Sequence, residues 1–220
     1  ALTEALSRER DPMVRAGIIR ALLLIPEPDI VALVNLLVSI MEEDEYTGVV
    51  RVAQEALATK ASNIRHRSVV VQTLVHLLRS SRAPVRRAFL VETLGKVGAR
   101  EVLSVILGAL DDYALEVQRA GWRALGELWG LPAVGQLGAD GQEARYAAVH
   151  DLERLALVDQ RATLALVQLA QFSRDVIGLA ARDILHRVGW QEALEVAESY
   201  RTAVMRVASS RGYGGMESVE

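Results

Sequence analysis

The chain has 220 residues, of which 51% are hydrophobic, 24% are charged and 5% are aromatic. A chain of this length and composition can bury a substantial core and is not of the disordered class. Its formal net charge of -3 argues against a general nucleic-acid binder, because such proteins usually carry a strong basic excess. The absence of cysteine excludes disulfides and thiolate metal sites.

Targeting signals are absent from the pattern. The longest strongly apolar run, residues 30–41, is too short to span a bilayer and contains Asn35. No signal peptide precedes the first repeat-like segment, so we expect a cytoplasmic protein without membrane insertion. The chain opens on Ala rather than Met, which is compatible with its being part of a larger polypeptide.

Apolar residues recur at three- and four-residue spacing, which predicts an all-α protein. A motif that first occurs at residues 11–22, DPMVRAGIIRAL, returns in degenerate form along the chain. The later copies are residues 46–57, 83–95, 114–126, 141–152 and 173–185. The apolar residues that close the six copies are separated by 27 to 37 residues, a period typical of a helical solenoid. These closing residues are Leu22, Leu57, Leu94, Leu125, Leu152 and Ile184.

Further amphipathic segments lie between the motifs, at residues 28–42, 66–80, 99–110 and 159–172. Each repeat is therefore predicted to be a pair of helices, of which the motif is the second. Pro12 and Pro84 suit the first turn of such a helix, where proline removes no hydrogen bond, and Asp11 is a candidate N-cap.

Two segments near the C-terminal half depart from this pattern. Residues 131–140, LPAVGQLGAD, stand where the first helix of the fifth repeat is expected, but their proline and two glycines predict only a short helix or an ordered loop. Residues 189–209 predict a long final helix that caps the last repeat. The predicted organisation is one repeat domain over 1–209 and a flexible, glycine-containing tail over 210–220.

The order Asp-Pro, Val-Arg, Ala and Ala-Leu-Gly in these motifs resembles HEAT repeats over about residues 1–188. The resemblance implies a right-handed α-α superhelix of about six helical hairpins. It also implies a ladder between repeats, formed by a loop Asp and a motif Arg, with Gln118 and Ile177 as breaks in the Arg column. The matching positions are Asp11, Arg15, Arg51, Arg87, Asp112, Asp140 and Arg145.

Residue patterns of metal and acid–base chemistry are weak. The four histidines lie at spacings that suit no single-helix ligand pair, and there is no H-E-x-x-H motif, so we expect no metal site and no cofactor. The acidic turn MEEDEY, residues 41–46, is better explained by favourable charge ahead of a helix than by a cation site.

Trp122, Trp129 and Trp190 loosely resemble the tryptophans with which a HEAT-like DNA glycosylase group reads damaged bases. The strongly basic concave surface of that group is not matched, because this chain is acidic and poor in aromatic residues. We expect the three tryptophans to fill space beside the degraded fifth repeat.

The six motif helices carry fourteen Lys and Arg against nine Asp and Glu. In HEAT-like proteins the second helices line the concave surface, so this excess predicts a shallow groove for a protein or peptide, possibly an acidic one. The predicted partner-binding residues are Arg20, Lys60, Arg86, Lys96, Arg119, Trp122 and Arg123. The predicted function is a non-catalytic binding scaffold. Two alternatives stay open: a lyase on the same scaffold, and a nucleic-acid-binding protein of the DNA glycosylase type.

Overall fold

The computed structural model describes residues 2–25, 29–98, 100–156 and 158–210. Over those residues it contains thirteen α-helices and no strand, so the all-α prediction is confirmed. The contacts divide the chain into two compact units, residues 1–99 and 100–220. Apart from Ser210, which ends the last helix, the predicted flexible tail lies outside the described residues.

The first unit is built from helices that pack in sequence order. Asp11 and Asp29 each cap a helix, because their carboxylates accept two backbone N–H groups of the first turn. The second helices pack on one another, and side chains such as Ile19, Leu57 and Leu94 are fully buried between the layers. Each such burial contributes about 1.5–3 kcal/mol. The helices are α1 (Leu2–Arg8), α2 (Pro12–Leu23), α3 (Ile30–Glu43), α4 (Thr47–Ser62), α5 (Ile64–Ser80) and α6 (Pro84–Val97).

The second unit is centred on one helix, in which residues 162–170 are all buried. This helix, α11, contacts the helices before and after it and also the last helix of the chain. The unit begins with a 3₁₀ turn, Arg100–Val102. Its helices are α7 (Leu103–Ala109), α8 (Leu115–Trp129), α9 (Pro132–Gln136), α10 (Gln142–Ala156), α11 (Gln160–Phe172), α12 (Val176–Val188) and α13 (Trp190–Ser210).

Helix α9 has only five residues, as the proline and glycines of its segment predict. It packs closely on α8, because a Cβ added at Gly126 would lie 2.5 Å from backbone atoms of Gly135. The absence of a side chain at Gly126 therefore lets the two backbones approach, and the short helix still fills the place of a first helix in its repeat.

The predicted final helix is present as α13, which packs on α11, α12 and α7. Its inner face is formed by Ala193 and Ala197, both buried. The ring of Tyr200 meets Trp129 edge-to-face at a centroid distance of 6.1 Å. Small side chains allow close approach of α13, and one aromatic pair fixes its position.

Candidate partner-binding surface

Arg–Asp pairs link each of several second helices to the turn ahead of the next second helix. In the first unit, Arg15 Nη2 of α2 lies 2.7 Å from Asp44 Oδ2, just ahead of α4. In the second unit, Arg145 Nη1 of α10 lies 3.1 Å from Asp175 Oδ2, the N-cap of α12. These pairs have the form of the ladder that the repeat resemblance implies.

A third pair joins Arg119 Nη1 of α8 to Asp140 Oδ1, at 2.8 Å. Arg119 was predicted to contact a partner, whereas the structure places it in the ladder. The neighbouring Gln118, predicted to break the column, donates from Nε2 to the carbonyl oxygen of Asp112. The column therefore shifts by one residue at α8, and the amide ties the turn that precedes the helix.

Other predicted ladder residues have different partners. The Asp11 carboxylate caps α2, and that of Asp112 accepts the backbone N–H of Ala114. Arg51 lies 3.9 Å from Glu55 on its own helix, and both side chains are exposed. Arg87 is buried and donates to the carbonyl oxygen of Arg82, so it closes the turn ahead of α6. The ladder is thus partial, as the sequence predicts.

The acidic turn at residues 41–46 takes part in this ladder through one residue. Asp44 Oδ1 accepts the backbone N–H of Tyr46, and the same carboxylate pairs with Arg15. Tyr46 is the N-cap of α4 and has no side-chain capping bond. The turn therefore orients α4 chiefly through Asp44.

In the first unit, two of the four predicted partner-binding residues bind neighbouring helices. Lys60 Nζ donates to the carbonyl oxygen of Leu23 at 2.9 Å, beyond the last turn of α2. Lys96 Nζ donates to Gln54 Oε1 at 2.8 Å, from α6 to α4. Arg20 is exposed on α2, and Arg86 is partly buried on α6. Part of the predicted basic surface therefore serves to join second helices.

In the second unit, Trp122 is only 8% exposed, so little of the ring is open to a partner. Trp129 is buried to the same extent, which fits the expected space-filling role. Trp190 is partly exposed and stacks on His186 at a centroid distance of 5.7 Å. Arg123 donates to the carbonyl oxygen of Gly138 and thereby holds the turn after α9.

A shallow, open cleft of about 680 Å³ lies beside α8 and α9. Its charged groups take part in the contacts described above, since Asp140 pairs with Arg119 and Arg123 binds a carbonyl oxygen. Much of its wall is backbone. The lining residues are Arg123, Gly126, Glu127, Gly130, Pro132, Gly135, Gln136, Gly138, Ala139 and Asp140. The cleft thus offers few side chains that are not already engaged.

A different surface combines exposed apolar and charged groups. On α10, Tyr146 is 45% exposed and its ring meets His150 edge-to-face at 4.9 Å. On α12, Leu179 is 53% exposed. A salt bridge between Arg187 and Glu153 connects the two helices. We call this surface the α10–α12 surface; its residues are Tyr146, His150, Glu153, Leu179 and Arg187.

The electrostatics of this region follow from its pairs. The hydrogen bond from Arg187 lowers the pKa of Glu153 more than burial raises it. Burial alone would raise the pKa of Asp175, but hydrogen bonds from Ser173 and Gly178 together with the Arg145 guanidinium lower it. Both carboxylates are therefore held in the charged form at neutral pH, and they fix α10 against α12.

The sequence analysis did not single out the α10–α12 surface. A signal was nevertheless present in the motif alignment. Tyr146 occupies the position taken by Ala16 in α2 and Ala120 in α8, both of which are buried. A large aromatic residue at a position that elsewhere accepts only a small buried one is a sign of exposure. Leu179 gave no comparable signal, because leucine is common in the core of every motif helix.

Over the described residues, no three His, Asp or Glu side chains come together in a way that could hold a metal ion. None of the described helices has both the length and the apolar character needed to cross a bilayer.

Comparison with known proteins adds little. No family model and no curated protein matches the chain. Among solved structures, the crystal structure of an engineered protein is 19% identical, with 90% of this chain and 96% of that chain covered and a TM-score of 0.37. A likeness at this level carries no argument about fold or function.

Proposed function

We propose that the chain is a HEAT-like α-solenoid, a right-handed superhelix of helical hairpins, that acts as a non-catalytic scaffold for a protein or peptide in the cytoplasm. The Arg–Asp pairs support the repeat assignment, since Arg15–Asp44, Arg119–Asp140 and Arg145–Asp175 recur between successive second helices inside the units. The family assignment predicts that partners bind along the second helices.

One observation carries the binding role: the α10–α12 surface. Two neighbouring second helices there expose a tyrosine and a leucine beside a fixed charged pair. Protein interfaces combine apolar side chains, enriched in Tyr, Trp and Arg, with a polar rim. The orientation of Arg187 is set by Glu153, so this side of the surface needs little ordering when a partner binds.

Photo-crosslinking in cells tests this proposal. A benzoylphenylalanine placed at position 179 should give one dominant adduct with a partner polypeptide. Tyr146→Ala in the same chain should reduce that adduct at least fivefold. The matched control is the same crosslinker at position 158, because Val158 is an isolated side chain that is 83% exposed. Identical adducts from positions 179 and 158 would show that the surface has no specific partner.

A gel shift separates the nucleic-acid alternative from this proposal. The scaffold proposal expects no shift of single- or double-stranded DNA at moderate salt. Binding at low salt that weakens steeply with added salt would instead favour a phosphate-binding role.

A further inference from the structure

Helix α2 has an exposed apolar stripe opposite the face it buries. The stripe consists of Met13, Gly17, Ala21 and Leu24, at helical spacing; we call it the α2 stripe. Met13 is 78% exposed and Leu24 is 84% exposed. A Cβ added at Gly17 would meet no atom within 4 Å, so the centre of the stripe is open.

The same stripe in α8 is covered. Arg15-Ala16-Gly17 and Arg119-Ala120-Gly121 match in sequence, and both arginines form ladder pairs, so the two helices correspond residue by residue. Val117, Gly121 and Leu125 are then the counterparts of Met13, Gly17 and Ala21, and all three are buried. A Cβ at Gly121 would lie 2.9 Å from the Leu110 side chain and 3.5 Å from Ala109, at the end of α7. An apolar helix therefore covers this position.

In α10 the same stripe is exposed but polar. Arg145 aligns with Arg15, which makes Glu143, Ala147, Asp151 and Arg154 the counterparts of the α2 stripe. All but Asp151 are exposed, and Asp151 pairs with Arg154. The preceding helix α9 has only five residues. Where a long first helix is lacking, these positions thus carry solvated charges, whereas α2 keeps apolar side chains behind the seven-residue α1.

From this contrast we propose that the α2 stripe is the docking site for an amphipathic helix of another polypeptide. The occupant would carry a branched or small apolar residue over Gly17, as Leu110 and Ala109 do over Gly121. It would also carry acidic residues beside its apolar face, because the exposed Arg10 and Arg20 flank the stripe. The inference rests on the proposed scaffold function and specifies the class of partner.

A labelled peptide of residues 100–112 serves as the probe, because it is the segment that includes the cover of Gly121 and carries Glu101, Asp111 and Asp112. Fluorescence anisotropy with the full chain should show saturable binding. Leu24→Glu should raise the Kd at least tenfold, and the matched control Val158→Glu should leave it unchanged. Gly17→Leu fills the open centre without touching the fold and should weaken binding to a similar extent.

Three results would overturn the inference: no saturable binding to the unmodified chain, equal binding by the Leu24→Glu variant, or a concentration-dependent dimer in sedimentation velocity that Leu24→Glu abolishes. The last would identify a second copy as the occupant. The crosslinking at position 179 is read separately: its loss, with the peptide still bound, removes only the α10–α12 surface. A surviving 179 adduct without peptide binding removes only the α2 docking site.

Discussion

Arg15 and Asp44 form an ion pair in which the carboxylate is 1% exposed and the guanidinium 24% exposed. The pair ties the first turn of α2 to the turn ahead of α4. Because the carboxylate is removed from water, its charge depends on this arginine and on the backbone N–H of Tyr46. A charge buried in this way is costly when its partner is lost.

Arg15→Ala should therefore destabilise the protein by about 3 kcal/mol, since it leaves the Asp44 charge buried without its counter-ion. Urea unfolding measures the change. The matched control is Arg51→Ala, which removes an exposed arginine from the 3.9 Å pair with Glu55 and should cost at most about 0.5 kcal/mol. Equal losses in the two variants would mean that burial of Asp44 has no energetic consequence.

Asp175 should make stability depend on acid pH. The pKa of its carboxyl in the folded state is lowered below 3.8, so the folded state gains stability from it above that pH and loses the gain as pH falls through the folded pKa. Asp175→Asn should be less stable than the parent chain at pH 6, and the gap should narrow below pH 3.8. Denaturant unfolding across that range measures the gap; a constant gap would contradict the linkage.

Gly126→Ala should destabilise the protein by about 2 kcal/mol, because its Cβ would meet Gly135 backbone atoms at 2.5 Å and push α9 from α8. Gly48→Ala is the control within another helix, where an added Cβ meets nothing within 4 Å. That change should stabilise by about 0.5 kcal/mol through helix propensity. Thermal unfolding compares the two, and a neutral Gly126→Ala would show that the helices can separate freely.

Lys96→Met should cost about 1 kcal/mol, since the buried Gln54 loses the donor to its Oε1. Arg20→Glu should change the free energy of unfolding by less than about 0.5 kcal/mol, because Arg20 is exposed. The same urea titration measures both. A larger effect for Arg20 than for Lys96 would mean that the contact between α4 and α6 is weak. Arg20 is thus the better position for testing a charged partner by charge reversal.

Local pattern determined much of the fold. The three- and four-residue spacing of apolar residues, with Pro12 and Asp11 ahead of the first motif, predicts helices that the structure contains. Pro132 and Gly135 shortened α9 as expected, because both residues disfavour a long helix wherever they occur. These features depend on neighbours in the chain, so they could be predicted without knowledge of packing.

The tertiary structure alone decided which charges meet and which apolar faces are covered. Arg119 joins Asp140, although the motif alignment placed Gln118 in the ladder column, because the turn after α9 carries Asp140 to that arginine. The stripes of α2 and α8 are equally apolar in sequence, yet only that of α8 lies against another helix. Coverage and pairing depend on the path of distant segments, which apolar spacing does not encode, whereas helix formation depends on residues a few positions apart.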